Sequence, residues 1–358
     1  MERDVSWRGR QQQPVEALPP EPAQGRVRAR LQAVVAVVLV IAFLKWSAVA
    51  TMPVAFAVFL IALVWPLQRK LERRLPGGVS FVLAVLVLLL VVGLFVAALW
   101  WTGEMVVQRS SEYAPRLQAI YAQAQAWAQS HGLDLSGLQA GSSDLARTAA
   151  GAVASSVSLI LLILALAILG LHEVHRFRRK ALEAFGEGHG RHLVETVETI
   201  VSKCQRYLWA RTVAALIQGV TVWLFSLAMG LDFAFVWGLL AFLLNYIPTI
   251  GSAVAVVPPV LFSLIQFDGL GRPLAVLLGM ALLQLLCGNY ADPLIQGKLL
   301  ALSPVVVLAA IVFWGWVWGI AGALLGVPIT IGIVIATDHF PKTRWIARLL
   351  TEEPRSAE

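Results

Sequence analysis

The sequence predicts an all-α integral membrane protein of about eight transmembrane segments, some of them broken helices or helical hairpins. Three observations carry this. The 358 residues are 58% hydrophobic and 14% charged, with a mean hydropathy of +0.75. A soluble chain of this length cannot hide that much apolar surface. The apolar runs are continuous rather than alternating with a period of two, so they read as helices and not as barrel strands. Their lengths suit a bilayer: 81–101 is 21 residues without a charge, 153–171 is 19, and 304–337 is 34, too long for one span.

In order, residues 1–30 are polar and rich in Pro and Gln, and read as a disordered cytoplasmic tail. Residues 31–101 hold the first transmembrane helices. Ser47 to Ala50 loosely resembles a signal-peptidase site, but Lys45 precedes it and another apolar run follows at once, so a first membrane helix is the better reading. Residues 102–150 form an extracytoplasmic amphipathic segment. In it Tyr113, Leu117, Ile120, Tyr121, Ala124 and Trp127 recur at helical spacing, a stripe suited to packing on the bundle or lying on the membrane surface. Residues 151–171 span the membrane, 172–211 form a cytoplasmic helical segment, 212–338 are the C-terminal transmembrane core, and 339–358 are a cytoplasmic tail.

Sidedness follows from the basic residues. The net charge is +7, but Lys and Arg flank apolar runs rather than forming a basic domain, so nucleic acid is not an expected partner. Arg69, Lys70, Arg73 and Arg74 crowd one short loop. Segment 172–211 has eight Lys/Arg against five acids, whereas 102–150 has three against four. Both termini are therefore expected in the cytoplasm. Cys204 lies in a polar helix and Cys287 in an apolar run, which does not make a disulfide framework. His172/His175 and His189/His192 are each three apart, but they lack the His-Glu-x-x-His spacing and read as solvated; no metal site and no cofactor are expected.

The functional signal lies where apolar helices are interrupted. "LLNYIPTIGSAVAVVPP" starts at Leu243. The apolar pieces 233–246 and 253–267 are each short of the ~20 residues needed to cross a bilayer. Pro248 disfavours helix at Ile247, and Gly251 permits a tight turn. The segment predicts helix, break, helix, with Asn245, Tyr246, Thr249 and Ser252 at the break. Irregular backbone at membrane depth survives only inside protein or beside a wet cavity, and in transporters such breaks hold the substrate or ion. A Pro-kinked hairpin end at the interface is the alternative. "GNYADPLIQGK" repeats the order: Asn289, Tyr290, Pro293 and Gly297 echo Asn245, Tyr246, Pro248 and Gly251. It adds Asp292 and Lys298, and a carboxylate beside an apolar run is costly unless paired, hydrated or protonated. A third break, "WGWVWGIAGALLGVP", carries Gly315, Gly319, Gly322 and Gly326, two Gly-x-x-x-Gly spacings suited to helix packing. A hairpin turning near Gly319–Gly322 is expected there.

At these motifs the sequence resembles the AI-2E family of bacterial membrane transporters. The runs are "LLNYIPTIGSAVAVVPPVL", "GNYADPLIQGKLLALSPVVVLAAIVFWGWVWGIAGALLGVPIT" and, upstream, "RYLWARTVAALIQG". The resemblance covers about residues 30–350 and is strongest over 206–330. It implies about eight spans, cytoplasmic termini, homo-oligomers and transport. Some members are linked to export of the quorum-sensing signal autoinducer-2, others to sodium/proton antiport. Where relatives often have Glu before the second motif's proline, this chain has Asp292.

The leading expectation is a secondary transporter of the bacterial inner membrane that exports a small polar solute. A sodium/proton antiporter, with Asp292 binding the ion, is the competing transporter reading. A non-transporting oligomeric scaffold is the competing class. No nucleotide-binding loop and no catalytic constellation is present in the sequence, so an enzyme is not expected. The partners expected are the lipid bilayer, a small polar solute or a monovalent cation with protons, and further copies of the chain.

Overall fold

The computed structural model describes residues 23–131, 142–248, 250–288, 302–339 and 343–351. They are helical with short connections, as expected for an all-α membrane protein. The first unit holds α1, Ala23–Trp46. α1 begins inside the segment expected to be a tail at 1–30. Ala and Arg are good helix formers, so the arginine-bearing start continues the apolar helix rather than ending it.

The second unit starts at Ala48. α2 is Ala48–Glu72 and α3 is Gly77–Ser130. At 1.5 Å per residue α3 is about 80 Å long, far more than a bilayer needs. No boundary falls at 101/102: the amphipathic segment is the direct extension of the membrane helix, because nothing after Trp101 breaks it. α4, Ser142–Ala228, reverses at Gly186 (φ 71°, ψ 171°), a conformation open almost only to glycine. A Cβ at Gly190 would lie 2.7 Å from the Ala181 carbonyl oxygen, so the two halves fold back on each other there. Segment 172–211 is thus a hairpin corner and not the continuous helix its periodicity suggests. α5 (Ala234–Leu244), α6 (Ile250–Gln266) and α7 (Gly271–Leu286) are short. α8, Pro304–His339, is bent back at Trp318 and Gly319, and α9, Arg344–Leu350, follows.

Among the described residues, five helices are long and apolar enough to cross a membrane: Ala48–Glu72, Gly77–Arg109, Val157–Val174, Gly188–Ala228 and Pro304–His339. Four more are apolar but shorter: Val34–Trp46, Ala234–Leu244, Ile250–Gln266 and Gly271–Leu286. Length and composition alone thus give five long and four short apolar helices where about eight spans are expected.

Three buried clusters hold the second unit together. Ala57, Val64, Ala84, Leu88, Leu164, Ala167 and Leu171 join α2, α3 and the first half of α4. Val222, Leu231, Ala241, Ala255, Val276 and Met280 join the end of α4 to α5, α6 and α7. Cys204, Tyr207, Leu208, Ile247, Ile311, Ala323, Val327 and Ala347 join the second half of α4 to the tip of the α5–α6 hairpin, α8 and α9. Helices surrounded by lipid gain little from apolar burial and hold together by close packing of small residues. α4 and α5 show this: Cβ atoms at Gly219 and Gly238 would each fall within 3 Å of the opposite glycine's carbonyl oxygen.

Candidate functional site

The first break is a helical hairpin. Leu244 ends α5, Ile250 opens α6, and Asn245 closes α5 by donating its N–H to the Ala241 carbonyl at 3.0 Å. Gly251 donates to the Ile247 carbonyl at 3.0 Å. The other ends of the two helices also meet. The Asp232 N–H donates to the Gln266 Oε1 at 2.9 Å, and the Gln266 Nε2 donates to the Gly230 carbonyl at 2.8 Å. α5 and α6 therefore run antiparallel, and the 245–248 turn is the tip.

The tip lies against α4. Thr212 and the Tyr246 hydroxyl share a hydrogen bond of 2.9 Å. Arg211, 1% exposed, lies close enough for its charge to act on the Tyr246 phenol. Asn245 is 2% exposed, and its Nδ2 has no hydrogen-bond partner among the described residues. Gly251 and Ser252 are buried, and Pro248 is half-buried. Gly251 is glycine for a visible reason: a Cβ there would sit 1.7 Å from the Leu244 carbonyl oxygen. On the face of α4 that carries Arg211, two turns on, the buried Gln218 donates to Gln284 of α7 at 3.1 Å. α7 leads directly into the second motif. That motif's residues, Asn289, Tyr290, Asp292, Pro293, Gly297 and Lys298, lie outside the described residues, as does Thr249 of the first.

The third break is also a hairpin. Gly319 holds φ 66°, ψ −148° at the turn. A Cβ at Gly322 would meet the Trp314 carbonyl oxygen at 1.9 Å, and one at Gly326 the Ala310 carbonyl oxygen at 3.0 Å. These two glycines let the halves of α8 approach each other, within one chain. Gly315 has ordinary space, its Cβ position lying 3.6 Å from Ala323.

At the opposite end of α5 and α6 lies a polar network. Asp232 receives a short hydrogen bond from the Tyr113 hydroxyl and an ion pair from Arg109 at 3.4 Å, and its carbonyl accepts from Trp237 Nε1 at 2.8 Å. Arg116 donates to the Ile265 carbonyl at 3.1 Å and to the Gln266 carbonyl, and pairs with Asp268 at 3.3 Å. The Tyr113 ring packs on Phe262 (5.0 Å) and Phe233 (5.9 Å). Phe233 holds φ 59°, a conformation unusual for a side chain of its bulk, and this aromatic cluster secures it. So the stripe begun by Tyr113 packs on the bundle at that residue.

Burial first, and then its bond to the Asp232 carboxylate, push the Tyr113 hydroxyl up to about 12 from 10.0. The folded protein therefore holds this proton more tightly than the unfolded chain. Its contribution to stability is complete below pH 10 and is lost as pH rises toward 12. Thermal midpoints measured from pH 9 to 12 should fall less steeply in Tyr113→Phe than in the wild type; parallel curves would contradict this assignment.

Arg211, Thr212, Gln218, Gln284 and the Asp232 network were not among the residues the sequence singled out. A signal existed for the first set. Arg211 and Gln218 are seven apart, hence two turns apart on one face, within a helix that is otherwise apolar after Arg211. Asp232 reads as a plain loop residue, and only its partners from α3, more than a hundred residues away in sequence, show otherwise.

Long apolar helices, two helical hairpins and a buried polar tip are those of a multi-pass membrane protein with broken helices. The sequence matches the AI-2E family transporter model over residues 34–342, and the chain belongs to that family. It is 42% identical over 156 residues to the AI-2 transport protein TqsA of Escherichia coli, covering 44% of this chain and 45% of that protein. It is 36% identical over 170 residues to a protein of Borreliella burgdorferi provisionally described as a transport protein, covering 47% of each. A similarly described protein of Haemophilus influenzae is 35% identical over 160 residues, 45% of this chain and 44% of that protein. The aligned part thus spans a little under half the length of each relative.

Proposed function

We propose that this chain is a secondary transporter that exports a small polar solute rich in hydrogen-bonding groups, with autoinducer-2 as the first candidate. The observation that carries the choice is the chemistry of the tip. A buried guanidinium, an amide with an unused donor and a phenol–threonine pair face the break. These suit a neutral polyol or an anionic solute, and a fixed positive charge opposes binding of a metal cation beside it. The relative named as an AI-2 transport protein supports the candidate cargo. Asn289, from the second motif, adds a neutral hydrogen-bonding group, and Asp292 carries the coupling proton or cation. The end of the unit that bears Arg69–Arg74 and the Gly186 reversal faces the cytoplasm of a bacterial inner membrane, by its basic loops.

Sodium/proton antiport is the second reading, because Asp292 lies away from Arg211 in sequence and is the carboxylate of the second motif. Purified protein in liposomes separates the two. Loaded autoinducer-2 should leave the vesicles, and Asn245→Ala should slow it about tenfold, the cost of one buried hydrogen bond. Asp292→Asn should remove its dependence on a proton or cation gradient. Vesicles that retain autoinducer-2 yet show a sodium-, potassium- or lithium-driven proton flux abolished by Asp292→Asn would make the protein an antiporter. No flux of either kind would leave the scaffold reading.

A further inference from the structure

The geometry points to Arg109, Tyr113 and Arg116 as positioning residues: the part of α3 beyond its membrane span clasps both ends of the α5–α6 hairpin and thereby sets the depth of the tip that carries Asn245 and Tyr246. The clasp has two points. At the entrance of α5, Arg109 and Tyr113 hold Asp232. At the exit of α6, Arg116 holds the Ile265 and Gln266 carbonyls and Asp268. The two points are tied together by Gln266, which bonds both Gly230 and Asp232. Inside the span, Trp101 of α3 also packs on Phe235 of α5, ring centroids 5.1 Å apart.

A helix is stiff along its axis, and α5 and α6, at 11 and 17 residues, are each shorter than the ~20 residues that cross a bilayer. Displacement of the α3 extension is therefore passed to the hairpin as a unit. The hairpin's tip can move only against the cluster in which Ile247 packs with Cys204, Tyr207 and Leu208. Counted along α6 from Ile250 to Gln266, the tip is about 24 Å from the clasp. The inference concerns how the hairpin is held and does not depend on what the protein carries.

Cys204 reports on it directly. It is buried in the same cluster as Ile247. In a Cys287→Ser background, maleimide labelling of Cys204 is measured for the protein in liposomes, with and without Arg109→Gln, Tyr113→Phe and Arg116→Gln combined. The clasp variant is expected to label several-fold faster, and Arg116→Lys in place of Arg116→Gln to recover part of the protection. A second reporter, Leu171→Cys in a chain lacking both native cysteines, sits in the separate α2–α3–α4 cluster and should label at an unchanged rate. Unchanged Cys204 labelling overturns the inference. So does a parallel rise at both reporters, since that shows general loosening and not release of the hairpin.

Discussion

Gly251→Ala is expected to abolish flux and to lower the thermal midpoint of the detergent-solubilised protein at least as much as Gly→Ala at any other described glycine, Gly322 being the nearest rival. The added Cβ would lie 1.7 Å from the Leu244 carbonyl oxygen, 2.6 Å from its carbon and 3.2 Å from the Ile247 Cβ. Two of these are backbone atoms, so no side-chain rotation relieves the clash and the tip must open. Overpacking of a close-packed site costs about 1–3 kcal/mol and more where backbone has to move. Opening the tip also displaces Asn245 and Tyr246 from α4, so transport fails before unfolding does. Gly315→Ala is the control, because its Cβ meets only Ala323 at 3.6 Å, ordinary contact. A Gly251→Ala protein with wild-type midpoint and flux would show that the hairpin does not turn as described.

The second large effect is at Arg211. A guanidinium 1% exposed on a membrane helix persists only where the surrounding groups balance it. Arg211 lies next to Thr212, which holds the Tyr246 hydroxyl, so removing its charge alters the surroundings of the tip. Arg211→Gln is expected to destabilise the protein, through lost packing and hydrogen bonding at a fully buried position, and to reduce flux at least tenfold. Arg211→Lys keeps the charge without the planar fork and should recover stability better than flux. Fluorescence-detected melting and vesicle flux on the same preparations give both quantities. Full flux in Arg211→Gln would remove Arg211 from the pathway and leave the break a structural turn.

The first break was fully legible as a break. Pro248 and Gly251 punctuate an apolar run, and their effect on the backbone is local, so a break fell there as expected, although α5 ends at Leu244 and α6 opens at Ile250, two to three residues from the expected 246 and 253. The turn in α8 was legible for the same reason, since 34 uncharged residues exceed one span and glycines mark the bend. The reversal at Gly186 was missed. The apolar face of 193–208 continues at helical spacing after it, and one glycine among three in "GEGHG" does not announce which takes the special conformation. The continuity of α3 was missed because a change from apolar to polar composition was taken for a boundary, and a helix does not need one.

By itself the sequence determined the class: apolar runs of bilayer length, no alternating strands, basic loops, and breaks whose Pro and Gly act on their immediate neighbours. Its motifs also carried the family. Only the tertiary structure decided what those breaks touch. That Tyr246 meets Thr212, that Arg211 is buried beside it, and that α3 reaches across to Asp232 and the end of α6 are contacts between residues 34 to 152 positions apart. Periodicity and propensity are local properties and carry no information on such pairs; they are fixed when close packing at Gly219 and Gly238 and the reversal at Gly186 bring the helices together.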